Sequence, residues 1–383
     1  VPLALQSIQQ MKKDDFLRLL SVVYTLKLKD YEELYVELEG HFLANINEFN
    51  NNEKAWALYY MARSNNDRGI CTRAFWKTIT DEHVGKSIPT TSLQIGAFCR
   101  LVYCLAATRS IDAAGFEKTF GQHLLSFLGS EELSYNEAAL LASSLVMLDG
   151  PSAKLEKYFK SFIKSVSLKQ DWAPLRYYYP LKFFVRYCSL VHPQWNTSYM
   201  EALFYHAEKR YNTYNARKTH VTPDYKDISS VISRLETYLL SFMDYDNLFL
   251  IDYCIEERKL AVMYLTDRDY LFDGEGGEKL LNPLTEMKLR LLEKDDFVVC
   301  SIDHEEFMAI NENKADWLKK KLEDTYKLTE ERAKEIHFAH QKAIMERLIS
   351  LGRAEFTDTR FDDLKAKLEV VDEHAEVLRK DLI

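Results

Sequence analysis

The chain has 383 residues, 47% of them hydrophobic, and a formal net charge of −9. That is enough apolar material for a sizeable core in two or three units, and it excludes general disorder. The negative balance excludes a protein that coats nucleic acid along its whole length. No apolar run reaches the roughly 18–20 residues that a membrane span needs.

With only 12 glycines and 8 prolines, helix is expected to dominate over sheet. The six cysteines (Cys71, Cys99, Cys104, Cys188, Cys254, Cys300) are scattered in apolar contexts with no CxxC spacing. They read as small core residues of a reduced compartment. The chain opens on Val1, with no secretory signal after it. A removed presequence and a late start both fit.

Residues 1–243 read as a series of helix pairs. The expected pairs are 16–28 with 31–46, 55–62 with 70–79, 92–107 with 116–128, and 181–190 with 199–211. Between the last two of these, Ala138, Leu141, Ala142, Leu145 and Leu148 fall on one helical face. Ser134 and Glu137 have the spacing of a capping box at its start, and Gly150–Pro151 closes it. Leu155, Phe159, Phe162, Ile163 and Val166 make the partner stripe. A last helix is expected over 229–242. The turns recur about every 35–45 residues, the range of stacked helix pairs that bury their apolar faces on one another. No strict consensus repeats, so an irregular α-bundle is the alternative.

Charge is unevenly placed. Residues 151–240 carry 14 Lys and Arg against 7 Asp and Glu, a balance of +7, and are rich in tyrosine. Phosphates call for cations and unpaired bases for flat rings. On that pattern the candidate RNA contacts are Lys157, Lys160, Lys164, Lys169, Arg176, Lys182, Arg186, Lys209, Arg210, Arg217 and Lys218. The plainer reading is the solvated face of amphipathic helices.

The texture changes at Asp246. Residues 248–255 and 260–265 are β-rich runs around a polar turn, which predicts a hairpin. Asn282–Pro283 opens a helix over 284–292, residues 297–302 form a third strand, and 317–322 a closing helix. Residues 246–322 carry 11 basic and 18 acidic side chains, a balance of −7, which disfavours phosphate on this face.

In the tail, residues 323–383, one helix is expected from Thr329 to Leu351. A second carries Phe361, Leu364, Leu368, Val371, Ala375, Leu378 and Leu382 in steps of three and four. Such a seam must bury, either on this chain or on a partner; Phe361, Leu364, Leu368, Val371 and Leu378 are the candidate partner contacts. Other motifs carry little. Gly274–Gly277 lacks the ending of a phosphate loop, His337 and His340 lack further convergent ligands, and His304 with Glu305 and Glu306 reads as a loop.

The run LFLIDYCIEERKLAVMYL, then NPLTEMKLRLLEKDDFVVCSIDHEEFMAI and ADWLKKKL, resembles a RAP domain, a C-terminal module of organellar RNA-associated proteins. The resemblance rests on Ile251–Asp252, Leu260–Val262, Leu284–Thr285, Lys288, Arg290–Leu292, Val298–Val299, Ser301–Ile302, Trp317–Leu318 and Lys319–Lys321. It implies a restriction-endonuclease-like α/β fold behind helical repeats of FAST-kinase-like or heptatricopeptide type. Where RAP domains end the second strand in a Glu-x-Asp-Gly-Pro-like stretch, this chain has Met263, Leu265 and Thr266. The nuclease carboxylates are therefore not expected.

The expected fold class is mainly α: a stacked helix-pair, α-solenoid-like array at 1–243, a small restriction-endonuclease-like RAP module at 246–322, and a helical tail at 323–383. The expected role is a non-catalytic adaptor without metal, cofactor or small-molecule substrate. It would belong to a mitochondrial ribonucleoprotein, a ribosome or an RNA-processing complex. Its partners would be organellar rRNA or mRNA and other protein subunits. Placement in the mitochondrial matrix follows from the resemblance and from Val1. The rival is a purely structural subunit without RNA; a nuclease is the third class.

Overall fold

The computed structural model describes residues 7–26, 32–63, 71–90, 93–130, 133–149, 155–167, 178–193, 240–245, 248–255, 259–271, 279–310, 313–325 and 327. The protein is mainly helical with a small mixed sheet. The helices before the sheet are α1 (Lys13–Leu26), α2 (Glu32–Asn45), α3 (Asn51–Arg63), α4 (Arg73–Thr78) and α5 (Ile95–Ala107). They continue as α6 (Ala113–Ser130), α7 (Tyr135–Leu148), α8 (Glu156–Ser167) and α9 (Tyr178–Val191).

Packing among these helices skips one at a time. α1 packs on α3, α3 on α5, α5 on α7 and α7 on α9, while α6 packs on α8. The sequence explains which helices lie innermost. α5 is apolar apart from Arg100, and nearly every residue from Ala97 to Ala107 is buried, as a helix enclosed on several sides requires. α8 is amphipathic and buries only one face, through Tyr158, Phe159, Phe162, Ile163 and Val166.

Local signals set the ends. At the start of α7 the Ser134 hydroxyl accepts from the Glu137 amide at 3.4 Å, and the Glu137 carboxylate accepts from the Ser134 amide at 2.6 Å. This is the expected capping box, and it satisfies two amides that the first turn leaves open. α6 and α8 approach closely at Gly121. A Cβ there would collide with the Tyr158 hydroxyl and lie 2.8 Å from its Cζ.

The sheet comprises β1 (Leu240–Tyr245), β2 (Phe249–Ile255), β3 (Leu260–Leu265) and β4 (Val298–Asp303), in that spatial order. β1–β2 and β2–β3 are antiparallel hairpins, the second in the register Tyr253 opposite Val262. β3 and β4 run parallel, from Leu260 opposite Val298 to Leu265 opposite Asp303. All six β3 residues are buried, which accounts for its unbroken apolar run. The crossover between β3 and β4 contains α10 (Pro283–Lys294). Asn282 caps it by accepting from the Thr285 amide at 2.8 Å, and Pro283 occupies the first turn, where its missing N–H costs nothing. α11 (His304–Ala309) follows β4, and residues 314–325 form α12.

α10 packs on α9, α7 and α5. Helices and sheet therefore share one apolar core, which runs from Ile8 to Phe297. The chain divides into two units, Val1–Thr325 and Tyr326–Ile383, and α1–α12 with β1–β4 all lie in the first.

Three sequence expectations need correction. The expected helix over 229–242 does not hold to its end, because Leu240 to Phe242 belong to β1. A short apolar run has no period of its own, and the neighbouring β2 edge decides it. The helix expected over 70–79 starts instead at Arg73, where the Thr72 hydroxyl accepts from the Phe75 amide at 3.1 Å. The stretch read as a loop at His304 is α11, capped by Asp303, which accepts from the Glu306 amide at 2.9 Å. The partner helix 199–211, the glycine loop 274–277, His337, His340 and the tail seam lie outside the described residues.

Candidate functional site

Of the cations expected to meet RNA, the described ones sit on α8 and α9, and three of them pair with carboxylates. Lys157 pairs with Glu117 of α6 at 2.6 Å, Lys160 pairs with Glu156, and Arg186 pairs with Asp295 at 3.4 Å. Lys164 and Lys182 have contacts of their own. Lys169, Arg176, Lys209, Arg210, Arg217 and Lys218 lie outside the described residues. So do the seam positions Phe361, Leu364, Leu368, Val371 and Leu378.

The structure brings together a different set. On α3, Trp56, Tyr59, Tyr60 and Arg63 stand at i, i+3, i+4 and i+7, which places them on one face. They line a cleft of about 520 Å³ that also takes Tyr24 from α1 and Tyr103 from α5, with contributions from α7 and α9. Every helix of the row thus lines one cleft. Trp56 is 36% exposed and stacks on Tyr60 at 5.4 Å between centroids; Tyr60 lies 5.4 Å from Tyr24. Tyr59 meets Tyr103 at 5.9 Å.

Two guanidiniums attend these rings. Arg63 donates to the Tyr59 hydroxyl at 2.6 Å and lies 5.5 Å and 5.6 Å from the Tyr59 and Tyr103 ring centres. Arg100 sits 3.6 Å over the Trp56 ring. Burial lowers the Arg100 pKa, partly opposed by Tyr59 and other neighbours. The described residues lining the cleft include no Asp or Glu. The sequence reading missed this site because it weighed tyrosines by density within 151–240. The usable signal was the W-x-x-Y-Y-x-x-R face of a single helix.

A second hollow, of about 380 Å³, lies where α4 faces the turn after α5; its described lining includes Arg73, Lys77, Arg109 and Asp81. Arg109 adopts a left-handed backbone (φ 54°) at the end of α5 and pairs with Glu286 of α10.

α10 is fixed to the helix row by buried polar groups. Asp149, which follows α7 and is 3% exposed, accepts from the Tyr187 hydroxyl at 2.7 Å and lies 2.8 Å from His192 Nε2. Arg290 donates to the Asp149 carbonyl, and to the Tyr187 oxygen at 3.2 Å. A cation thus meets a carbonyl that the end of α7 leaves open. Burial first, and then the Asp149 carboxylate, hold the Tyr187 phenol well above its usual pKa.

In the sheet, Met263 and Leu265 are both buried, and Thr266 is tied to Asp269. Asp252 is 8% exposed and accepts from the Tyr264 amide at 2.7 Å, just past the last paired β2–β3 position, Tyr253 with Val262. Its carboxylate extends the ladder. At the ends of β3 and β4, Tyr264 bonds to His304 Nδ1, and Lys279 pairs with Asp303 at 3.4 Å and Glu305 at 2.6 Å. Among the described residues, no group of three or more His, Cys, Asp or Glu side chains is placed to hold a metal ion, and no helix is long and apolar enough to cross a membrane.

No family model matches the chain, and no curated protein matches it in sequence.

Proposed function

We propose that this chain is a non-catalytic RNA-associated adaptor, a stacked helix-pair array carrying a RAP-like α/β module, which serves as a subunit of a mitochondrial ribonucleoprotein in the matrix. The observation that carries the reading is the alternation of contacts, α1 on α3 on α5 on α7 on α9. Helix pairs stacked this way bury their apolar faces on their neighbours and leave an extended surface across the repeats, suited to long partners. The order hairpin, helix, strand and closing helix over 249–325 supports the RAP-like reading of the module. Met263 and Leu265 in the buried strand, with Asp252 committed to a backbone amide, support a holding role over phosphodiester cleavage.

A second reading, a scaffold subunit without RNA, is favoured by the pairing of Lys157, Lys160 and Arg186 with Glu117, Glu156 and Asp295. Salt separates the two. Binding of the full chain to single-stranded RNA is expected to weaken steeply between about 50 and about 200 mM salt, as released counterions require. Absent binding favours the scaffold. Identification of the RNA and proteins that co-purify with the chain from mitochondria tests the assembly.

A further inference from the structure

We propose that the hollow between α4 and the turn after α5 binds the phosphate monoester group of a small phosphorylated molecule, which is held there and not turned over. The inference goes beyond the adaptor reading and stands whether or not the chain holds RNA.

Cations from two elements reach this hollow. Arg73 and Lys77 stand at i and i+4 of α4, which places them on one face. Arg109 comes from the end of α5, where its amide donates to the Ala106 carbonyl at 3.1 Å and the Ser110 amide donates to the Leu105 carbonyl at 2.9 Å. That double closure is a Schellman motif, and Arg109 fills the left-handed position (φ 54°) that such a motif ordinarily gives to glycine. An arginine where glycine fits best points to what its side chain reaches. One partner is Glu286 of α10, but that pair is partly exposed on both sides and contributes little by itself. The hollow is the other.

A second observation is independent of charge. Trp76 also lines the hollow, is 2% exposed, and its indole N–H finds no acceptor among the described residues. A buried donor left so calls for a partner, and a molecule seated in the hollow brings acceptors.

The ligand class follows from charge and size. A phosphate monoester carries nearly two negative charges at neutral pH and three acceptor oxygens, so it meets several cations at once. The volume of about 380 Å³ suits a small molecule. Asp81 on the same lining offers an acceptor to a hydroxyl elsewhere on that molecule.

The test is isothermal titration calorimetry of the full chain with inorganic phosphate, at an ionic strength fixed with chloride. One saturable site is expected. Lys77→Gln and Arg109→Gly are each expected to raise Kd about tenfold, the loss of one charge-assisted contact. Lys77 is exposed and glycine suits the left-handed turn, so both chains are expected to fold. Glu286→Gln releases Arg109 from its pair and is expected to lower Kd about twofold. Dimethyl phosphate, a diester with a single charge, is expected to bind about tenfold more weakly than phosphate. Absence of saturable phosphate binding overturns the proposal, and so does an unchanged Kd in folded Lys77→Gln and Arg109→Gly chains. Equal binding of dimethyl phosphate overturns the monoester assignment. Binding of a phosphoserine peptide without binding of inorganic phosphate overturns the small-molecule occupant in favour of a phosphorylated protein.

Discussion

The Tyr187 hydroxyl donates to the Asp149 carboxylate across 2.7 Å, joining α9 to the end of α7 at the point where Arg290 of α10 donates to the Asp149 carbonyl. His192 closes the same group at 2.8 Å. Asp149→Ala leaves a buried phenol and a buried imidazole without their acceptor. It is expected to destabilise the chain by about 3 kcal/mol, and Tyr187→Phe by about 1 kcal/mol, since His192 still serves the carboxylate. Urea denaturation of both chains and of the double variant measures the coupling. Additive losses would show that the bond contributes nothing of its own.

Arg290 joins α10 to the helix row, beside the pairs Arg109–Glu286 and Arg186–Asp295. Arg290→Ala is expected to cost about 2–3 kcal/mol, because it strips partners from the Asp149 carbonyl and the Tyr187 oxygen together. Removing the more exposed Glu286 side of the belt, as Glu286→Gln, is expected to cost under about 1 kcal/mol. Hydrogen exchange gives the second readout: faster exchange in α10 and α9, with α1 and α3 unchanged, is the expected pattern for Arg290→Ala. Uniform acceleration throughout would mean that the belt does not act locally.

Gly121 is required by the approach of α8. Gly121→Ala places a methyl group against the Tyr158 ring, which is fully buried and unable to swing away. A loss of about 1–3 kcal/mol is expected, despite the better helix propensity of alanine. The double variant with Tyr158→Phe, which removes the nearest atom, is expected to recover part of it in a thermal melt.

Asp252 is expected to act on stability alone. Asp252→Ala orphans the Tyr264 amide inside the sheet and is expected to cost about 1–3 kcal/mol. The unaltered chain with magnesium is expected to leave RNA and single-stranded DNA intact. Robust cleavage that disappears in Asp252→Ala would make the carboxylate part of a catalytic site.

Asp303 gives a dependence on acid. Burial alone would raise its pKa, but the Tyr270 hydroxyl, the Glu306 amide and Lys279 more than offset this and hold it below the usual carboxylate range. A depressed carboxyl stabilises the fold fully above its unfolded pKa of about 3.9, and that contribution is lost as pH falls through the lower folded value. Asp303→Asn is therefore expected to melt below the wild type at neutral pH, with the gap closing as the solution is acidified toward about pH 2. A gap that stays constant would show that the charge of Asp303 is not involved.

What the sequence determined by itself is whatever depends on near neighbours. The capping box of Ser134 and Glu137 spans three residues, so its spacing alone identifies it. The β2 and β3 strands were legible because a polar turn separates two short β-rich runs, and the α5 to α9 helices because their apolar residues recur with the helical period. The run at 260–265 read as a hairpin strand and 297–302 as a third strand; the folded sheet shows that the two run parallel and that β3 is wholly buried.

Tertiary structure decided the rest. Leu240 to Phe242 read as the end of a helix, and pairing with β2 makes them part of a strand. Lys157 and Arg186 read as phosphate ligands from sequence alone; the fold sets Glu117, 40 positions away, and Asp295, 109 away, beside them. The cleft needed α1, α3 and α5 side by side before Tyr24, Trp56, Tyr60 and Tyr103 became one surface. The physical reason is common to all three. Periodicity records which face of an element is apolar, whereas charge compensation and ring stacking depend on partners that only the folded chain brings within a few ångströms.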